Sequence, residues 1–250
     1  MSGDSIRYLQ TDSGRENVLK VLFIGNSHTY FNDMPHLFAG MCESLTGERT
    51  EVTMLAFSNR TLKWHCDEYF SVRFALLYGG YDYCVIQQFG HPLPPIEETE
   101  PPLEKLVHLC ESVGTKPVLY MTWAKRNEPE NALEISRTYR TLAKKYNTLL
   151  APMAELFASL RTEHPEIDLY WFDGSHASPY GDYLIAATLA AAVTGRTDLS
   201  ALPDRMIDFR VRFEKGSAPT AIEAISDTYT ESNPVYTAIL RAYAARAVTG

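Results

Sequence analysis

Short apolar runs alternate along the chain with longer amphipathic stretches, and the first run is the most informative. Residues 18–24 (Val-Leu-Lys-Val-Leu-Phe-Ile) are almost wholly apolar, and the pattern breaks at Gly25, Asn26 and Ser27. A short apolar run that stops at small polar residues predicts a buried strand. This strand presents Ser27 at its C-terminal end, the edge of an open α/β sheet where ligands bind.

The same alternation predicts the rest of the fold. Further strands are predicted at 51–57, 81–86, 116–123 and 148–151. Helices are predicted at 35–46, 62–77, 103–110, 132–146 and 183–194, the third of them after a proline-rich loop. Strands that alternate with helices indicate an α/β protein with a mostly parallel central sheet, helices on both faces and right-handed crossovers.

The pattern predicts a single domain. Residues 1–17 are polar and lack a sustained apolar period, so we expect a loosely held arm, followed by one domain over 18–250. From residue 201 onward we expect one or two amphipathic helices, the last around 236–248, that pack against this domain.

Composition narrows the class of partner. The 250 residues are 45% hydrophobic and 22% charged, which is ordinary for a globular domain. The net charge of -8 and the pI near 5.4 argue against nucleic acid or an anionic membrane, because phosphate binding relies on clustered Lys and Arg. No apolar leader or membrane-spanning run is visible, so we expect a cytoplasmic protein.

The cysteines indicate neither a disulfide framework nor a metal site. Cys42, Cys66, Cys84 and Cys110 are scattered without a CxxC pair, which favours reduced thiols. We therefore expect no metal and no cofactor.

Two polar turns carry residues suited to nucleophilic catalysis. A serine hydroxyl needs a neighbouring base to take its proton, and the base needs a third group to hold its ring. Ser27 and His176 are candidates for the first two roles, and Asp173, three residues before His176, is placed to orient the imidazole.

These two turns resemble motifs of a known family. Residues 25–27 (Gly-Asn-Ser) and 173–176 (Asp-Gly-Ser-His) resemble the first and last motif blocks of the SGNH (GDSL-type) hydrolases, and the resemblance spans roughly 18–195. It implies a flavodoxin-like three-layer α/β/α fold and esterase or lipase activity. It also implies that Ser27 is the nucleophile, His176 the general base and Asp173 its partner.

The chain departs from the family pattern at the first and middle blocks. Asn26 replaces the usual Asp, which is not the triad acid, and the middle blocks read Ser58-Asn59 and Gln87-Gln88 in place of a Gly and an Asn. An oxyanion needs hydrogen-bond donors. We expect them to be the backbone amides of Ser27 and Asn59 and the side chain of Gln87, with Gln88 as the alternative.

Other residues are candidates for the pocket. Trp123 ends the predicted fourth strand at the active edge, and Asn32 lies a few residues beyond Ser27, although helix capping would also explain Asn32. Trp64, Trp123 and Trp171 suit either an apolar or sugar-stacking wall or the core. His28 suits either a substrate contact or a solvent-facing turn.

The sequence therefore predicts a serine esterase that forms an acyl-enzyme on Ser27. Its expected partner is a small-molecule ester with a small acyl group, for which carbohydrate is one candidate alcohol. The alternative is a non-catalytic binding module on the same fold. A doubly wound nucleotide-binding protein is disfavoured because no GxGxxG motif follows a strand.

Overall fold

A five-stranded parallel sheet forms the centre of the molecule. The computed structural model describes residues 18–207 and 229–248. The strands of the sheet are β1 (Val18–Gly25), β2 (Arg49–Ala56), β3 (Tyr83–Ile86), β4 (Lys116–Tyr120) and β5 (Leu149–Ala151). Their order is β2-β1-β3-β4-β5, and every neighbouring pair is parallel. The carboxyl ends of all five strands therefore meet at one edge.

Helices cover both faces of this sheet. They are α1 (Ser27–Tyr30), α2 (Met34–Thr46), α3 (Leu62–Asp67), α4 (Tyr69–Gly79), α5 (Ile96–Ser112), α6 (Ala132–Tyr146), α7 (Met153–Glu163), α8 (Pro179–Thr194) and α9 (Pro234–Ala247). Most buried apolar residues of α2, α7, α8 and α9 form one cluster with the sheet, and those of α3 to α6 form the other, together with Ala154 of α7. The predicted three-layer α/β/α class is confirmed.

Strand β1 shows how the sequence divides its side chains between the two layers. Val21 and Phe23 belong to the cluster under α2 and α8, whereas Leu22 and Ile24 belong to the cluster under α3 to α6. All four are fully buried. A strand buried on both faces has a nearly continuous apolar sequence, which is why this run predicts its own position at the centre of the sheet.

Two predicted helices differ from those observed. The helix predicted over 62–77 is two helices, because the backbone of Glu68 has a ψ of 38° and interrupts the helical path. The helix predicted from 103 begins at Ile96 and contains Pro101 and Pro102. Proline donates no backbone hydrogen bond. Here the carbonyl groups left without a donor belong to exposed Glu97 and Glu98, where water can replace the missing donor.

The C-terminal half contains elements that the pattern did not predict. Helix α7 was not predicted, although its apolar residues lie at helical spacing. Two short strands were also not predicted: β6 (Arg205–Ile207) pairs antiparallel with β7 (Tyr229–Glu231). The predicted last helix is confirmed as α9. The predicted arm and any helix within 208–228 lie outside the described residues. In the described ranges, no helix combines the length and apolarity needed to cross a membrane.

Candidate active site

Ser27 lies where β1 ends and α1 begins. The residue before it, Asn26, caps this helix by accepting a hydrogen bond from the His28 backbone amide, 3.1 Å away. Its side-chain amide donates to the carbonyl of Arg60 at 3.0 Å. Asn26 therefore ties the serine turn to the loop after β2, and its amide group makes a donation that a carboxylate could not make.

Gly25 is required by the close packing beneath this turn. A Cβ atom at this position would lie 2.3 Å from Thr29 Oγ1 and 2.6 Å from Gln87 Oε1. Thr29 and Gln87 can therefore pack this closely against the backbone because the residue has no side chain.

Asp173 and His176 occupy one self-supporting turn at the same edge. One carboxylate oxygen of Asp173 accepts hydrogen bonds from the backbone amides of Ser175 and His176, at 2.9 and 3.0 Å. The other oxygen lies 2.6 Å from His176 Nδ1. Burial alone would raise the pKa of Asp173, but the hydrogen bonds from His176 and Ser175 outweigh it and lower that pKa. The carboxylate is thus held in its charged form beside the imidazole.

The two turns meet although 149 residues separate them along the chain. The distance between Ser27 Oγ and His176 Nε2 is 2.8 Å, within hydrogen-bond reach. With Nδ1 donating to Asp173, Nε2 of a neutral His176 is the acceptor for the serine hydroxyl. The structure therefore brings the three predicted residues into one hydrogen-bonded chain, arranged so that the imidazole can take the serine proton.

Two aromatic rings lie along the ring of His176. The centroid of the His28 ring lies 5.0 Å from that of the His176 ring, and the two planes differ by 19°. The centroid of the Phe31 ring lies 4.5 Å from that of His176, and these planes differ by 20°. His28 is buried. The centroid of its ring lies 4.7 Å from that of a second imidazole, His91, and 5.1 Å from that of Trp123. Burial lowers the pKa of His28 well below its usual range, and the nearby His91 and His176 lower it further. His28 is therefore not the solvent-facing turn residue that the sequence allowed.

The two glutamines predicted as oxyanion donors are buried and have partners inside the protein. Gln87 Oε1 accepts from the Asn26 backbone amide at 2.9 Å and from Thr29 Oγ1 at 3.0 Å, and its Nε2 donates to the carbonyl of Gln88. Gln88 Oε1 accepts from the Leu62 and Phe89 amides.

The side chains of the two glutamines are almost wholly buried in this structure. Gln87 is 1% exposed and Gln88 is 2% exposed. The structure thus gives Gln87 a supporting position beneath the serine turn and Gln88 a position at the start of α3. Sequence could not separate these positions from a place at the reacting oxygen, since all are polar sites at a strand end.

Asn59 lies in the exposed loop that follows β2. The Arg60 amide donates to the Phe57 carbonyl, and the Phe57 amide donates to the Gly25 carbonyl, so this turn is tied to the end of β1. The backbone φ of Asn59 is 58°, in the left-handed region that Gly and Asn adopt most readily. An Asn where the family has a Gly is therefore consistent with the local backbone.

Asn32 and Trp123 are buried supports and do not line the site as predicted. Asn32 Nδ2 donates to Asp182 at 2.7 Å and to the Ala177 carbonyl at 3.2 Å, next to His176. Trp123 is fully buried and donates its indole N–H to the Ser175 carbonyl at 3.0 Å. Both side chains hold the His176 turn in place from below. The sequence analysis did not predict Phe31 and His91 beside this site, although Phe31 lies only four residues after Ser27.

Two findings concern the other titratable groups near the site, their grouping and the pKa of His91. Among the described residues, no three His, Cys, Asp or Glu side chains group in a way that could hold a metal ion. Burial, together with the charge of Lys125 and the nearby His176, lowers the pKa of His91 to about 4. The imidazoles beside the site are therefore neutral at pH 7.

The fold is similar to that of solved esterases and lipases. No family model and no curated protein matches the sequence. An acetylxylan esterase from Geobacillus stearothermophilus is 17% identical, with a TM-score of 0.57 over 70% of this chain and 94% of that one. A lipase/acylhydrolase from Enterococcus faecalis is also 17% identical, with a TM-score of 0.57 over 71% and 96%.

A third solved structure agrees with these two. The psychrotrophic esterase EstA from Pseudoalteromonas, in a structure inhibited by monoethylphosphonate, is 12% identical, with a TM-score of 0.55 over 70% of this chain and 97% of that one. Identities this low carry information on the fold alone. The chain has the fold of these esterases and lipases, and the resemblance to SGNH hydrolases is confirmed at the level of the fold.

Proposed function

We propose that this protein is a serine esterase that hydrolyses carboxylic esters through an acyl-enzyme on Ser27. The observation that carries the proposal is the hydrogen-bonded chain from Asp173 through His176 to Ser27, with distances of 2.6 and 2.8 Å. This hydrogen-bonded chain joins a serine hydroxyl, an imidazole and a charged carboxylate at the carboxyl edge of the sheet.

The chemistry follows from these positions. Ser27 Oγ attacks the ester carbonyl carbon while His176 Nε2 takes the hydroxyl proton, and Asp173 stabilises the imidazolium that forms. The imidazolium then gives its proton to the oxygen of the leaving alcohol, and the C–O bond of the ester breaks. Water attacks the acyl-enzyme by the same route and releases the acid.

The developing oxyanion requires donors next to Ser27. We propose the backbone amides of Ser27 and Asn59, because the first lies at the start of α1 and the second belongs to the turn tied to Asn26 and Gly25. Each such donor contributes about a hundred- to a thousand-fold in rate. Gln87 and Gln88 are left out of this proposal since their side chains are buried among other partners.

The acyl group that we propose is small, and carbohydrate is our candidate for the alcohol. The support is that the neighbour from Geobacillus stearothermophilus acts on acetylxylan.

Substitution of the nucleophile tests the proposal. Ser27→Ala should abolish turnover of p-nitrophenyl acetate and covalent labelling by a fluorophosphonate probe, while the circular dichroism spectrum stays that of the wild type. Ser44→Ala is the matched control, because Ser44 is exposed on α2 and bonds only to its own helix. Turnover by Ser27→Ala equal to the wild type refutes the assignment. A folded wild type that neither labels nor turns over supports the binding-module alternative.

A further inference from the structure

Three aromatic side chains form a continuous strip that starts at His176 and ends at the protein surface. This aromatic strip consists of Phe31, Trp171 and Phe172. The Phe31 ring lies 4.5 Å from the His176 ring, the Trp171 ring lies 5.2 Å from Phe31, and the Phe172 ring lies 5.3 Å from Trp171. The strip therefore extends outward from the proposed base.

The outer end of the strip is open to solvent. Phe172 is 88% exposed, the highest value among the exposed large hydrophobic side chains of the described residues. Burial of a phenyl ring stabilises a folded protein, so the position of this ring on the surface forgoes that gain. Single exposed apolar residues are common, but a contiguous aromatic surface at a reactive group is typical of a binding site.

The backbone that presents Phe172 is well supported. The Trp171 amide donates to the His176 carbonyl at 2.8 Å, the Gly174 amide donates to the Trp171 carbonyl at 2.9 Å, and Tyr170 pairs with Ala177. The same turn carries Asp173 and His176. The strip and the base therefore hold a fixed relationship, which lowers the cost of ordering a bound group.

The chemistry of the proposed reaction decides which half of an ester meets the strip. The imidazolium of His176 must reach the oxygen of the leaving alcohol to protonate it, so the alcohol lies against His176. The carbonyl oxygen faces the donors that we propose at Ser27 and Asn59. A strip that begins at His176 therefore lies on the alcohol side.

We infer that the aromatic strip binds the alcohol portion of the substrate through a flat apolar face. This inference rests on the proposed esterase function and makes it more specific. The shared chemistry is a planar apolar surface, which either an aromatic ring or the C–H face of a pyranose ring provides. Phe172 and Trp171 are then specificity-determining residues, and the acyl group does not contact them.

Three acetates that differ in their alcohol portion test the inference. We compare kcat/KM for ethyl acetate, benzyl acetate and peracetylated glucose in the wild type, in Phe172→Ser and in the control Phe70→Ser, whose phenyl ring is 73% exposed on α4, outside the strip. We expect Phe172→Ser to lower the preference for benzyl acetate or peracetylated glucose over ethyl acetate by about three- to tenfold. The acetate that loses more identifies the ring type, and Phe70→Ser should keep the wild-type preferences.

An ester that carries its aromatic ring on the acyl side shows whether the strip contacts the acyl half of the substrate. The ratio of kcat/KM for ethyl phenylacetate to that for ethyl acetate should be the same in Phe172→Ser and the wild type. A fall in this ratio without a fall in the alcohol-side preference overturns the inference. So does an equal loss on all acetates, no loss on any, or a wild-type dimer at assay concentration that Phe172→Ser dissociates in sedimentation velocity.

The failure of this inference is distinguishable from failure of the proposed function. If the wild type hydrolyses no ester, or if hydrolysis survives Ser27→Ala, the esterase proposal fails. If hydrolysis depends on Ser27 but the alcohol-side preference does not depend on Phe172, only the role of the strip is refuted.

Discussion

The imidazole rings of His28 and His176 lie 5.0 Å apart with planes that differ by 19°, so the residue next to Ser27 packs along the ring of the proposed base. His28 is itself held by Tyr120, whose hydroxyl donates to the His28 carbonyl at 2.8 Å. A single short segment thus carries both the nucleophile and a ring that fixes the orientation of its base.

Substitution of His28 should separate ring packing from simple burial. We expect His28→Leu to lower kcat for p-nitrophenyl acetate on the order of tenfold, because the His176 ring loses a planar neighbour and its aim at Ser27. His28→Phe keeps a planar ring and should lose less, and KM should change little in either variant. Equal kcat values for the two variants, at equal melting temperatures, would show that the ring of His28 has no positioning role.

Gln87 should matter for stability because it satisfies buried donors. We expect Gln87→Leu to lower the free energy of unfolding by about 1–3 kcal/mol, since the Asn26 amide and the Thr29 hydroxyl lose their acceptor. Thr29→Val removes only one of these bonds and should cost less. Urea unfolding measures both losses, and the prediction fails if Thr29→Val is the more damaging change.

Asp182 should make the protein less stable as the pH rises. Burial raises the pKa of Asp182 well above its ordinary value, and the hydrogen bond from Asn32 offsets this only in part. Between the ordinary and the raised pKa the folded protein keeps a proton that the unfolded chain has released, so the free energy of unfolding falls with increasing pH.

Asp182→Asn removes this titration. The variant should therefore gain stability relative to the wild type between pH 5 and pH 8, measured by urea unfolding at both values. Parallel pH dependences in the two proteins would contradict a buried, protonated Asp182.

His91 should have the opposite dependence at acid pH. Its pKa of about 4 in the folded protein lies below the ordinary value of 6.5, because the ring is buried and lies near Lys125 and His176. Below about pH 6.5 the unfolded chain binds a proton that folded His91 does not, so stability is lost as the pH falls toward 4.

The loss from His91 amounts to at most about 1.4 kcal/mol per pH unit. His91→Gln should flatten the fall in unfolding free energy between pH 6.5 and 4.5. Chemical unfolding at several pH values checks this, and an unchanged slope in the variant would be evidence against a neutral buried ring.

Sequence predicted the parts of the site that local pattern determines. The apolar run that ends at Ser27 and the turn that carries Asp173 and His176 are both complete within a few residues, so their structure follows from local chemistry. The parallel direction of the strands follows from their alternation with helices.

The roles of the other polar residues depend on distant contacts. The sequence predicts three polar residues near the active edge of the sheet, Gln87, Gln88 and Asn32. Each of them forms a hydrogen bond with a partner that belongs to another part of the fold. A strand alternates its faces, but the sequence does not reveal which face has an unsatisfied donor beneath it. The start of α5 was predicted too late for a similar reason. The sequence does not reveal that solvent around the preceding turn replaces the donors that Pro101 and Pro102 lack.

The separation of Ser27 from His176 by 149 residues has a consequence for biogenesis. A chain that emerges from the ribosome presents the serine early, but it has no base until the segment that carries His176 has been synthesised and has docked on the finished sheet. On the proposed mechanism, a partly made chain therefore cannot activate Ser27. Covalent labelling of Ser27 should accordingly report completion of the fold, and it should be lost in any truncated product that ends before residue 173.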